Sequence, residues 1–447
     1  MATQTELSVA AVPSSNGNLE QARVARIPQR STTDVQRFLY AQSADARRNV
    51  TAIRPFRRDE FGAAAASPSA AHIQAANQFM RQLRDRLAGV VEEFEQTAET
   101  AVSSPNSPNL QRFLRQKDRA GKGIKQIEKI WDFFFELFGQ RQTRYGNWLL
   151  AADRIGLDCY QALYTGLGRA RSIPTPPPFT YMETGFTPAT FRRDVRLTRL
   201  GKLKNPFPIV KLPYHRMVNP WSLGAIHHEV SHNLQNDLGL WNEVPRRIQQ
   251  RLEEAGLERG VANTWTRWHK EIWADLAGLL LGGPAIVSSL IGVVAQSPRA
   301  TQSFNPEGVH PTPYFRVFIN LELLRRMGFT AEADAFHRLW TRLYPNTSRS
   351  RIPQPMLDAF PQASQLVVDT ICFQPYAQLG DKSLIQVVHF RPAHLQMVAE
   401  AAQRLASGTD PGIIPARFLV GAARWALSNR LASPERIAAN FYEALKR

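Results

Sequence analysis

Between Leu276 and Gln296 the chain runs LAGLLLGGPAIVSSLIGVVAQ, 21 residues without a charged side chain. A segment of that length can cross a bilayer, so its fate bounds every fold open to the rest of the chain. Gly282, Gly283 and Pro284 interrupt its centre, and no basic cluster flanks it as a topology anchor. Two buried helical pieces with a break between them are therefore expected, in a protein with no integral membrane span. Immediately ahead stands KEIWADLAG, whose Glu271 and Asp275 lie one turn apart on one helical face. Their neighbours Ile272, Trp273, Leu276 and Leu279 to Leu281 mark a buried helix. Buried carboxylates need a partner, and a dication is a good one.

The second constraint is HHEVSH, residues 227 to 232. His228 and His232 are four apart, so a helix stacks them on one face, one turn above the other. With Glu229 directly after the first, this is the H-E-x-x-H arrangement: two imidazoles for Zn²⁺ and a carboxylate that reaches the metal's water. The other register pairs His227 with Ser231, a poor zinc ligand. Flanking residues predict the helix itself, with Asn219 as N-cap, Pro220 at the first helical position and Gly239 as a C-terminal stop. Zinc in a hydrolase takes three protein ligands and leaves a fourth position for water. Glu271, 39 residues beyond His232, suits the third place. Asp275 one turn later can then accept a hydrogen bond from the free ring nitrogen of a zinc-bound His. His269 competes for that place but has no Asp one turn on.

HEVSH followed by EIWAD resembles the gluzincin zinc metallopeptidases, whose pattern is H-E-x-x-H followed by E-x-x-x-D. The resemblance covers roughly residues 205 to 320. It implies one Zn²⁺ per chain on His228, His232 and Glu271, with Glu229 as general base and Asp275 behind the ligands. It also implies a peptide or protein substrate whose backbone pairs with an edge strand ahead of the metal helix. FPIVKLPYHRMV, 207 to 218, reads as that strand, and Pro208 and Pro213 suit an edge position. In such an enzyme zinc polarises the scissile carbonyl and acidifies its water, while Glu229 moves the proton to the leaving amine. The oxyanion needs a second donor, and GVHPTPYFRV, 308 to 317, offers His310, Tyr314 and Arg316. Some gluzincins place a His or Tyr there, which makes His310 the first choice. Tyr314, and Tyr214 beside the strand, are candidates for substrate contact.

The rest of the chain sets the architecture. Residues 1 to 70 lack the basic start and apolar core of a secretory signal and read as a disordered tail. Residues 71 to 178 form a helical N-terminal region that could cover the cleft, a role the sequence leaves open, ending in the Pro-rich RSIPTPPPF as a linker or strap. Residues 179 to 447 are the metallopeptidase region, with a helical C-terminal part. The fold expected is mainly α, a helical zincin-like core with a short edge strand or small sheet before the metal helix. Cys159 and Cys372 are the only cysteines, which excludes a disulfide framework and any Cys-based metal site. With no secretory signal, a soluble cytoplasmic protein is favoured. A balance of 55 Lys plus Arg against 38 Asp plus Glu gives +17 and points to acidic partners. Nucleic acid is disfavoured among them, because the basic residues are spread out rather than set in a stripe with aromatics. A non-catalytic zinc scaffold and a nucleic-acid-binding regulator are the alternatives to a zinc-dependent peptidase; the scaffold would be marked by loss of Glu229, which is present.

Overall fold

The computed structural model describes residues 33–168, 172–185, 187–201, 203–347 and 350–446. The protein is mainly helical, as expected. Four helices lead: α1 (Asp34–Ala52), α2 (Ala70–Ser103), α3 (Ser107–Gly139) and α4 (Gly146–Leu167). A small sheet follows, made of β1 (Phe179–Met182), β2 (Ala189–Phe191) and β3 (Ile209–Leu212). Then come α5 (Gly224–Asp237), α6 (Arg259–Gly282), α7 (Pro284–Val294), α8 (Pro313–Arg326) and, near the C-terminus, α9 (Ala416–Ser428).

Two corrections concern the N-terminal part. The disordered tail expected through residue 70 does not hold for its second half. Thr33 and Gln36 cap α1 reciprocally, and Leu39 is buried; residues 1 to 32 lie outside the described residues. The boundary at 178 also shifts. α4 supplies Leu149, Ile155, Tyr160 and Leu163 to the same core as α5 and α6, so it belongs with the later region.

The sheet is the wall between two cores. Strand alternation turns Phe179, Tyr181 and Ile209 toward the N-terminal helices, where they join Phe134 and Phe138. It turns Val210 and Leu212 toward α5 and α6. β3 pairs with β1 in parallel and with β2 antiparallel, so β3 is the central strand and not the expected edge. Pro208 and Pro213 bracket Ile209–Leu212 from outside, where a missing N–H costs the ladder nothing. The free edge belongs to β2.

His72 of α2 staples the helices to the strap. Its Nε2–H donates to the Pro177 carbonyl at 2.9 Å, Nδ1 accepts from Ser69 at 2.8 Å, and the ring packs against Phe179 and Phe207. Burial drives its pKa down to about 4. The unfolded chain takes this proton first as pH falls below about 6.5, so stability is lost from there down to about pH 4. The loss from this one group amounts to about 3.5 kcal/mol at most, taking ~1.4 kcal/mol per pH unit. Urea unfolding at pH 7.5 and pH 5 should show a smaller difference for His72→Gln than for the parent. An equal difference would assign the acid sensitivity to other groups.

The uncharged segment divides as expected. Leu276 to Leu281 are buried in the last turns of α6, Gly283 breaks the helix at φ +72°, and Pro284 opens α7. No helix among the described residues is long and apolar enough to cross a membrane. Both thiols are free and buried, and burial pushes their pKa values up, which makes them inert.

Candidate metal centre

α5 and α6 lie side by side, and their contact builds the centre. Gly224 permits the approach of α7 to the start of α5, since a Cβ there would fall 2.5 Å from the Ser289 hydroxyl. The first His of the doublet is structural: His227 is fully buried and its Nε2–H donates to the Arg417 carbonyl of α9 at 3.0 Å. The next residue faces the other way, into a cavity of about 520 Å³ lined by His228, Glu229, His232, Glu271, Asp275, His310 and Arg316 among others. Helix α5 is fixed to the sheet one residue past the motif, where Asn233 donates to the Thr190 hydroxyl of β2 at 2.6 Å.

Three donors converge. His228 Nε2 lies 3.2 Å from His232 Nε2 and 3.4 Å from Glu271 Oε2, and His232 Nε2 lies 3.7 Å from Glu271 Oε1. Bonds of 2.0–2.1 Å at tetrahedral angles place ligand atoms about 3.3–3.4 Å apart; two of the separations lie within about 0.1 Å of that and the third is a few tenths longer, so the group could hold a zinc-sized cation after a small adjustment. The orientation of the rings agrees. His228 Nδ1–H donates to Asp275 Oδ1 at 2.8 Å, which leaves Nε2 as the atom facing inward. Two imidazole nitrogens then face each other across 3.2 Å beside a carboxylate, an arrangement that needs a proton or a cation between them. Among the described residues this is the one group of three His, Cys or carboxylates able to hold a metal.

The metal-free electrostatics reflect that need. Burial opposes charge on His228, but the Asp275 hydrogen bond and charge outweigh it, with help from Glu271, and hold the pKa up to about 10. Burial and the neighbouring His228 push His232 down to about 3. Glu271 is depressed: burial would raise it, and the two His and Arg316 more than offset that. Glu229, also buried, is raised to about 7 by desolvation and the Glu271 charge, against the pull of His228.

Arg316 completes the centre. It grips Asp275 with both arms, Nε to Oδ2 at 2.6 Å and an amino group to Oδ1 at 2.9 Å, and lies 3.8 Å from Glu271. The sequence placed Arg316 only among oxyanion donors. Its position shows a guanidinium that sets the Asp275 carboxylate, which in turn orients His228.

The other candidates separate. His310 lines the cavity, exposed, with Nε2 3.4 Å from Glu271. His269 is turned away: Nδ1–H donates to the Thr266 carbonyl and its ring packs on Trp241. Tyr214 does not line the cavity; its ring lies against Tyr145 and Trp148. Tyr314 is also outside, packed against Phe315 and Phe318. Both tyrosines neighbour the right elements in sequence but pack against other aromatic rings. Thr187 and Pro188, with Ala189 and Thr190 of β2, line the cavity instead, and no residue of α1 to α4 does. The N-terminal helices back the sheet and do not cover the opening.

In comparison with known proteins, no family model, curated protein or solved structure matches this chain.

Proposed function

We propose that this protein is a zinc-dependent peptidase of gluzincin-like, helical zincin architecture. The observation that carries the proposal is the meeting of His228, His232 and Glu271, with Glu229 buried on the same helix and facing the same cavity. Those three residues would hold the metal, which when bound supplies a Lewis acid and an acidified water. Glu229 is the proton carrier. Buried on the motif helix and facing the cavity, its carboxylate can take a proton from the attacking water and return it to the leaving amine. Asp275 and Arg316 hold His228 in the tautomer that turns Nε2 inward. His310, at the exposed rim, is the donor for negative charge developing on the scissile carbonyl oxygen. The open edge of β2 can add an extended substrate as a further strand, so that main-chain hydrogen bonds align the peptide.

Elemental analysis of protein purified without chelator, paired with a peptide-pool digest, tests the proposal. One zinc per chain and cleavage abolished by chelator are expected, with activity restored by stoichiometric zinc. Absence of zinc, or cleavage unaffected by full metal removal, would refute it.

A further inference from the structure

Three basic side chains line the cavity, and only one is neutralised. Arg316 is held by Asp275 and Glu271. Among the described residues, neither Arg192 nor Lys270 has a carboxylate within ion-pair distance, and no hydrogen bond occupies their donors. Arg192 follows the last residue of β2, and its guanidinium carbon sits over the Trp241 ring, 3.3 Å from the centroid. Contact with the ring face restrains the group and leaves its N–H fork available. Lys270 directly precedes the ligand Glu271. An unanswered, partly desolvated cation is costly in a folded protein unless a ligand brings the counter-charge.

Helix α5 serves as a ruler for the cavity. Beside its first residue, Gly224, stands α7, which contributes Ile286, Leu290 and Val293 at helical spacing to the wall. His228, Glu229 and His232 follow along the helix, and Trp241 with Arg192 lies beyond its end. The cavity is therefore apolar at one end and cationic at the other, with the reacting groups between.

We propose, resting on the peptidase reading of the same site, that the cavity selects substrates presenting a carboxylate to Arg192 and Lys270, with an apolar side chain against α7. The carboxylate can come from an Asp or Glu side chain or from a chain terminus. A planar guanidinium and an ammonium lining the same cavity suit either source, since both make charge-assisted hydrogen bonds to carboxylate oxygens.

Matched pools of short, N-acetylated, C-amidated peptides, alike except for Glu or Gln at one position, test it by calorimetric binding and by cleavage. The same Gln pools with a free C-terminal acid form a third arm. The carboxylate-bearing pools are expected to bind roughly 10- to 100-fold more tightly than amidated Gln, as two charge-assisted hydrogen bonds allow. A gain confined to the free-acid arm assigns the carboxylate to the chain terminus; a gain in the Glu arm assigns it to a side chain. The ratio should fall near one in Arg192→Gln combined with Lys270→Gln, while Arg192→Lys keeps part of it. Should the double variant fail to fold, Lys270→Gln alone must still lower the ratio several-fold. Equal binding of all three arms by the parent overturns the proposal, as does a ratio unchanged in these variants. Cleavage without preference sinks this proposal and leaves the peptidase standing. Preference in binding with no cleavage of any pool removes the peptidase and keeps only the carboxylate recognition by Arg192 and Lys270, and no binding of any pool overturns both.

Discussion

Glu229→Gln is expected to lower peptide hydrolysis by ~10²–10⁴-fold, the range for loss of a positioned general base, with metal content and fold unchanged. Glutamine keeps the volume and most of the hydrogen-bonding capacity of the side chain but can neither take nor deliver the proton. Retained fold is expected because Glu229 makes no ion pair among the described residues, and its buried carboxyl is raised to about 7 by desolvation. Removing a charge that its surroundings disfavour costs the fold little. Retained metal is expected because the three converging donors belong to His228, His232 and Glu271. Hydrolysis, zinc content and thermal unfolding of variant and parent, measured side by side, check all three. Parent-like hydrolysis in the variant would remove Glu229 from the chemistry and the peptidase reading with it.

Glu271→Ala should act on the opposite quantity. It deletes one of three donors, so zinc affinity is expected to fall by more than the ~10–100-fold typical of losing a partner behind the ligands. Asp275→Asn supplies that smaller effect for comparison: it weakens the anchor of His228 and one grip of Arg316 while leaving all three donors in place. Metal-free stability should drop as well. Glu271 is 7% exposed at its side chain and faces His228 and Arg316. Truncating it leaves those cations with Asp275 alone, and breaking a buried pair costs about 3–5 kcal/mol. Glu271→Gln keeps the volume and separates charge from cavity. Competitive zinc titration and urea unfolding give the two readouts. Parent-like zinc affinity in Glu271→Ala would mean that a different side chain completes the ligand set.

Where the sequence succeeded and where it failed divides by distance along the chain. The register of HHEVSH was legible because an i, i+4 pair and its intervening Glu are one helical turn, a geometry the backbone sets alone. The same holds for Glu271 and Asp275, and for the Gly-Gly-Pro break that splits the uncharged segment into α6 and α7. The capping box of Thr33 and Gln36 was an equally local signal, and attention to it would have found α1 inside the tail.

Partners were another matter. Whether Ile209–Leu212 is an edge or a centre depends on what pairs with it, and β1 and β2 arrive from 30 and 20 residues upstream. Tyr214 and Tyr314 were chosen by adjacency, but which face a residue presents follows from how its element packs. Arg316 finds Asp275 across 41 residues, and Arg192 finds Trp241 across 49, with no motif marking either encounter. By itself, then, the sequence determined which residues share a helical face and which chemistry that face can support, because those follow from backbone periodicity. Only the tertiary structure decided that two such faces meet with donors 3.2–3.7 Å apart, which cations are neutralised there and which remain open. Those outcomes belong to the packing of distant segments, which the bonds along the chain do not specify one by one.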